Sequence, residues 1–136
     1  MVDRANMGRA FPRFTYTIER GKLHEFLLAI DDDNPVYQTD DPPMPPTIAT
    51  VFANWGGMNL EGVLRDIGVE MWNVLHSEQE YQFGLPLHVG DRVTGIATIV
   101  DIYDKAGMEF VEIVTVYRNQ NGSEVVRDRA LLIVRG

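Results

Sequence analysis

Three aspartates, Asp31, Asp32 and Asp33, run directly into Asn34-Pro35 and Tyr37 in the stretch AIDDDNPVY. By residue type alone, acidic side chains and Asn-Pro after a helix are common turn chemistry. Glu78 and Glu80 alternate onto one face of an extended segment. Such a pair can act as acid and base, but more often forms a solvated face or meets arginine across a dimer interface. Arg127 and Arg129 share their period and could answer them. Three histidines complete the titratable candidates. His24 belongs on the polar side of a helix, and His88 sits beside a Pro-Leu turn, so both are expected at the surface. His76 is expected to share a face with Glu78 and Glu80, which favours a local ion pair over catalysis. No two histidines have metal-ligand spacing, and no metal site is expected.

Gly56-Gly57 could expose backbone N–H groups to a ligand, although helix termination accounts for them equally well. Trp55 and Trp72, with Met44, Met58 and Met71, are first read as core-filling residues. There is no phosphate-binding loop, dinucleotide fingerprint or serine nucleophile motif. No cofactor is expected.

The elements that must position these residues follow from periodicity. Phe14, Tyr16 and Ile18 alternate with polar neighbours, which predicts a half-buried strand. Leu23, Phe26, Leu27 and Ile30 recur at helical spacing, predicting an amphipathic helix over residues 22–30 that the acidic run and Pro35 bring to an end. A short second helix is expected from Pro46-Thr47 to Gly56-Gly57. Residues 59–75 are ambiguous, with Leu60, Val63, Leu64 and Ile67 suggesting a helical turn or two. Residues 76–83, 93–103, 110–118 and 125–134 read as strands, the last three forming a meander. Asn121-Gly122 is a strong hairpin signal between the final pair. The order is strand, helix, short helix and four strands, an α+β arrangement in which a twisted antiparallel sheet wraps around a central helix. Such a layer leaves a sheet edge open, so dimerisation is expected.

The 136 residues support one domain, residues 1–136, with 45% hydrophobic and 24% charged residues marking an ordinary globular chain. A formal charge of −8 disfavours nucleic acid, whose binding needs clustered Lys and Arg. The lack of cysteine excludes disulfides and thiolate chemistry. Apolar runs are too short to cross a bilayer, and the stretch MVDRANMGRAFPRF has no apolar core of the signal-peptide kind. A cytoplasmic protein without membrane association is the expectation.

AIDDDNPVY, together with PPTIATVF at residues 45–52 and HSEQEYQFGLPLHVGDRV at residues 76–93, resembles the MaoC-like dehydratase family, specifically its N-terminal, non-catalytic type of domain. The resemblance covers roughly residues 14–135 and implies the hot dog fold. It also implies chemistry on acyl thioesters: reversible addition of water to a trans-2-enoyl group carried on coenzyme A or acyl carrier protein. Active members carry Asp-x-Asn-Pro-x-His, in which Asp positions water as the base and His completes proton transfer. Asp32 matches the Asp, Asn34 and Pro35 match Asn-Pro, and Tyr37 replaces the His. Tyrosine's ordinary pKa lies about three to four units above histidine's, so a site lacking the histidine should be slow or dead.

The resemblance therefore implies the half of a two-part (R)-specific enoyl hydratase or 3-hydroxyacyl-thioester dehydratase that lacks the catalytic histidine. It would contribute to acyl-chain binding and dimer stability, as a homodimer or with a His-containing hot dog subunit. Thr47, Trp55, Gly56 and Gly57 are its candidate substrate-binding residues. Two other readings stay open. A hot dog thioesterase needs a carboxylate near a helix N-terminus and no histidine, and a non-enzymatic homodimer could bind acyl thioesters without turnover.

Overall fold

Val, Ile and Thr dominate residues 92–134, and these β-branched side chains favour extended backbone. In the computed structural model, which describes residues 1–136, this stretch forms three long strands of one antiparallel sheet. The strands are β1 (Phe14–Thr17), β2 (Val74–Phe83), β3 (Arg92–Lys105), β4 (Met108–Arg118) and β5 (Glu124–Val134). Their spatial order is β1-β3-β4-β5-β2, so the expected meander of β3, β4 and β5 forms the centre and β2 lies at an edge. Residues 8–11 prolong the other edge along β3, with Phe11 N–H bonded to the Ala97 carbonyl at 2.9 Å and Gly8 N–H to that of Ile99 at 2.7 Å.

Three helices, α1 (Arg20–Ala29), α2 (Ala49–Trp55) and α3 (Leu60–Asp66), precede the second strand. The single helix expected against the sheet is in fact divided between α2 and α3, which resolves the ambiguous segment in favour of helix. Two apolar clusters hold the layers together. Phe52 of α2 joins Phe14, Tyr117 and Val126 in the first, and Val63 and Leu64 of α3 join Ile99, Val111 and Leu132 in the second. Burial of each large side chain contributes on the order of 1.5–3 kcal/mol. The arrangement is the expected α+β hot dog fold.

Helix α1 stops earlier than Pro35 requires. Asp31 adopts a left-handed conformation with φ 54°, its N–H bonding the Leu28 carbonyl at 3.2 Å, while Asp32 N–H bonds that of Leu27 at 2.9 Å. This paired closure satisfies the last carbonyls of the helix, usually with glycine rather than aspartate at the left-handed position. On α1, Leu23 and Leu27 are buried, whereas Ile30, expected on the apolar stripe, is exposed because it lies in that closing turn.

The hairpin signalled by Asn121-Gly122 joins β4 to β5 by a five-residue turn over residues 119–123, closed by Asn119 N–H to the Ser123 carbonyl at 2.9 Å, with Gly122 at φ 80°. Asn119 accepts side-chain bonds from the N–H groups of both Asn121 and Ser123, which stabilises this wider turn over a two-residue one. Some local expectations are corrected. Trp55, Trp72 and Met71 are exposed rather than core-filling, and only Met44 and Met58 pack against buried clusters. Trp55 ends α2 with its ring under the Lys22 ammonium at 4.3 Å, and Trp72 lies in the turn that leads into β2.

The placement of His76 is also corrected. Pairing of β2 with β5 matches His76 to Leu132 and Glu78 to Leu131, leaving Ser77 as an extra, bulged residue. The bulge reverses the alternation. His76 therefore faces the helices with Gln79 and Tyr81, while Glu78 lies on the opposite face. No ion pair forms at His76, whose Nε2 instead meets the Glu78 carbonyl at 3.2 Å.

Candidate functional site

The loop after α1 is built by its own side chains. The two backbone bonds that close α1 fix Asp32, and its Oδ1 accepts from Asn34 N–H at 3.1 Å. Asn34 Oδ1 then accepts from Val36 N–H at 3.1 Å, capping the short 3₁₀ turn Pro35–Gln38. That turn carries Tyr37 inward. Tyr37 is half-buried, packs on the first apolar cluster and lines an open cleft of about 480 Å³ with Arg20, Leu23, His24 and Leu27. Asp32 does not line the cleft.

No histidine hydrogen-bonds to Asp32. His24 is exposed on α1, and His88 is exposed as expected but pairs with Asp41 at 3.0 Å. The hydrogen bond and charge of Asp41 push the His88 pKa up. Beside it, Asp91 is buried, taking His88 N–H at 2.8 Å and the Gln120 amide at 3.0 Å. This aspartate of the PLHVGD stretch thus fastens the start of β3 to two turns, a structural task.

The four candidate binding residues lie along α2 and its flanks without converging. Thr47 is exposed in the 3₁₀ turn Pro46–Ile48 that precedes the helix, and Trp55 is exposed at its end. Gly56 is explained by close approach, because an added Cβ would lie 2.5 Å from the Phe52 carbonyl and 2.8 Å from the Phe14 ring. Gly57, at φ 94°, turns the chain toward α3.

A second cavity, of about 220 Å³, opens between α2 and the inner face of the sheet. Its walls include Ala53, Met58, Ile113 and Leu132, but its sheet side also carries His76, Gln79, Tyr81, Thr115 and Asp128. The Gln79 amide donates to Asp128 Oδ1, and Thr50 shares a 2.7 Å hydroxyl bond with Tyr81. Burial pushes the Asp128 carboxyl above its ordinary pKa, against the opposing pull of Gln79 and His76. Tyr81 is raised as well, chiefly by burial. Sequence reasoning missed this group. The available signal was the inward period of Val126, Asp128, Ala130 and Leu132, which places one carboxylate on an otherwise apolar strand face.

On the outer face, Arg129 joins Glu112 at 2.6 Å and Glu78 at 3.0 Å, so of the two β2 carboxylates only Glu78 is answered by an arginine of β5. Arg127 instead pairs with Glu124 at 2.7 Å, and Glu80 meets the Gln82 amide at 3.1 Å. These contacts give Glu78 and Glu80 no access to the inner cavity.

An antiparallel sheet closed on one face by α2 and α3 defines a protein of the hot dog fold. The chain belongs to the family described as FAS1-like, dehydratase domain region, which matches residues 5–128. It is 31% identical to a UPF0336 protein of Thermobifida fusca over 99% of this chain and 95% of that one. Among solved structures it is similar to the HadBC (3R-hydroxyacyl-ACP dehydratase) complex of Mycobacterium tuberculosis. That match has a TM-score of 0.78 and 19% identity over 94% of this chain and 96% of that one. A MaoC-like dehydratase matches with a TM-score of 0.84 and 17% identity, covering 97% of this chain and 43% of that one.

Proposed function

We propose that this chain is the histidine-lacking half of a two-part (R)-specific enoyl-thioester hydratase or 3-hydroxyacyl-thioester dehydratase. In this reading it receives the acyl portion of a coenzyme A or acyl carrier protein thioester and stabilises a partner that carries the complete Asp and His pair. The observation that carries the reading is the Asp32 loop. Asp32 is held in a turn by Asn34, Tyr37 occupies the motif position of the histidine, and the three histidines of the chain are engaged or exposed elsewhere. Reversible hydration needs a group that exchanges protons near neutrality, which a phenol side chain does not ordinarily supply.

The edge strand β2 supports the partnership. Leu75 and Phe83 on it, and Leu85 beyond it, are exposed, as is Trp72 just before it. An open strand edge with apolar neighbours is suited to pairing with another sheet. The match to a complex of 3R-hydroxyacyl-ACP dehydratase fits the same arrangement.

The test follows loss of enoyl absorbance with a short trans-2-enoyl-CoA. The purified chain alone is expected to give no turnover, and addition of a hot dog subunit containing Asp-x-Asn-Pro-x-His is expected to produce it. Turnover by the chain alone that Asp32→Asn abolishes would overturn the reading, because the site would then be complete despite Tyr37.

A further inference from the structure

The outer face of the sheet gathers positive charge in an otherwise acidic chain. Of the 12 lysines and arginines, Arg4, Arg9, Lys22, Arg65, Arg127 and Arg129 are held by carboxylates. Three of the others, Arg13, Arg92 and Arg118, line one open cleft of about 610 Å³ that no Asp or Glu lines. Alternation along β3 puts Thr94 and Thr98 on this face, because Val93, Ala97 and Ile99 point to the inner clusters. The register sets Thr94 between Thr15 of β1 and Arg118 of β4, and Arg13 shares the period of Thr15.

Bonds within the chain shape this cleft and leave donors free. Arg118 Nη1 donates to the Gly122 carbonyl at 3.1 Å, which holds its fork beside the β4–β5 turn. Gln120 is fully engaged: its oxygen accepts from Arg92 N–H at 3.1 Å, and its nitrogen donates at 3.0 Å to the buried Asp91. The Thr15 and Thr94 hydroxyls share one bond of 3.3 Å, so one of their two hydrogens is left over. Asn119 Oδ1 is taken by two backbone N–H groups, and its amide nitrogen remains to donate. The guanidinium groups of Arg13 and Arg92 bond to no group of the chain. The unfilled capacity is for donation, and its charge is positive throughout.

We propose that this cleft binds a diphosphate group. It lies on the sheet face opposite the cavity beneath α2, so the proposal is independent of the thioester reading. Guanidinium forks match phosphoryl oxygens two at a time, which a lone ammonium does not. Arg13 and Arg118 spring from either side of β3, about 10 Å apart at the spacing of two strand intervals, and two linked phosphoryl groups span that gap better than one. Three like charges around one cleft repel each other, and an anion of several charges relieves them where a single carboxylate would not. A long polyanion is disfavoured, because beyond the cleft it would meet a chain of net charge −8.

The test is NMR titration of the full chain with pyrophosphate at fixed ionic strength. Saturable shifts are expected at the amides of Thr94, Thr98 and Asn119. Arg13→Gln and Arg92→Gln remove side chains that bond to nothing in the chain, so the fold should persist, and each is expected to raise Kd about tenfold. Lys105→Gln removes an exposed, unpaired cation of β3 outside the cleft and is expected to change Kd by less than about twofold. Equal affinity for ADP would support a diphosphate ester as the occupant, and weaker binding of ADP would support the free anion. Absence of saturable binding, sulfate binding as tightly as pyrophosphate, or an equal loss in Lys105→Gln would overturn the proposal.

Discussion

Tyr117 presents the least satisfied polar atom of the protein. Its ring is fully buried, edge-on to Phe14 at 5.8 Å and to Phe52 at 5.4 Å, and its hydroxyl has no hydrogen-bond partner. Burial, with the charges of Asp128 and Tyr81, keeps that hydroxyl protonated well above the ordinary tyrosine range. Tyr117→Phe is expected to leave stability unchanged or raise it by about 1 kcal/mol in urea unfolding, since nothing is lost but an unpaired dipole. Asp128 has a different signature. Its carboxyl is raised in the folded state, so the folded chain holds a proton that the unfolded chain has released. The contribution of this group is therefore fully present below aspartate's ordinary value of about 4 and is lost as pH climbs through the raised one. Asp128→Asn is expected to flatten this part of a stability-versus-pH profile measured by chemical denaturation. The inward place of Asp128 can be read from its period on β5, but the burial of both groups depends on what the neighbouring elements bring beside them.

At the level of elements, the end of α1 makes the clearest prediction. Asp31 holds a left-handed backbone that glycine adopts without strain, and its charge lies at the negative end of the helix. Asp31→Gly is expected to raise stability by about 0.5–1 kcal/mol in thermal or chemical unfolding while leaving Asp32 in place. The strands of the meander were legible because Val, Ile and Thr alternate with polar residues over long runs. The first strand was legible by the same alternation, and the first helix by the helical spacing of Leu23, Phe26 and Leu27. The break of the helical layer was legible in Gly56-Gly57, but the extent of α3 was less so, since residues 59–75 offered only a helical turn or two of apolar spacing. The motif loop was legible as a sequence, and its Asn34 cap follows from ordinary Asn-Pro turn chemistry. The inner polar group was not, because His76 reaches it only through an inserted residue on β2.

For the whole molecule, the exposed edge is the feature most directly open to test. Leu75 is 46% exposed and Phe83 49% exposed on a strand that has a neighbour on one side only. Leu75→Asp is expected to shift the chain, or its complex with a histidine-bearing partner, toward monomer in sedimentation velocity while the fold persists. A charge of −8 adds repulsion between identical copies, so self-association should strengthen with added salt if the two copies meet without compensating cations.

Ser77 lends no side chain to the cavity, yet the strand's phase depends on it. Deleting this one residue would restore strict alternation along β2 and send His76 toward solvent while preserving every other letter of the sequence. A one-codon deletion would thus take His76 out of the cavity wall while every lining residue remained in the sequence. An alignment that slides a gap past Ser77 would conceal the event, and comparisons between relatives should count residues along this edge before comparing their identities.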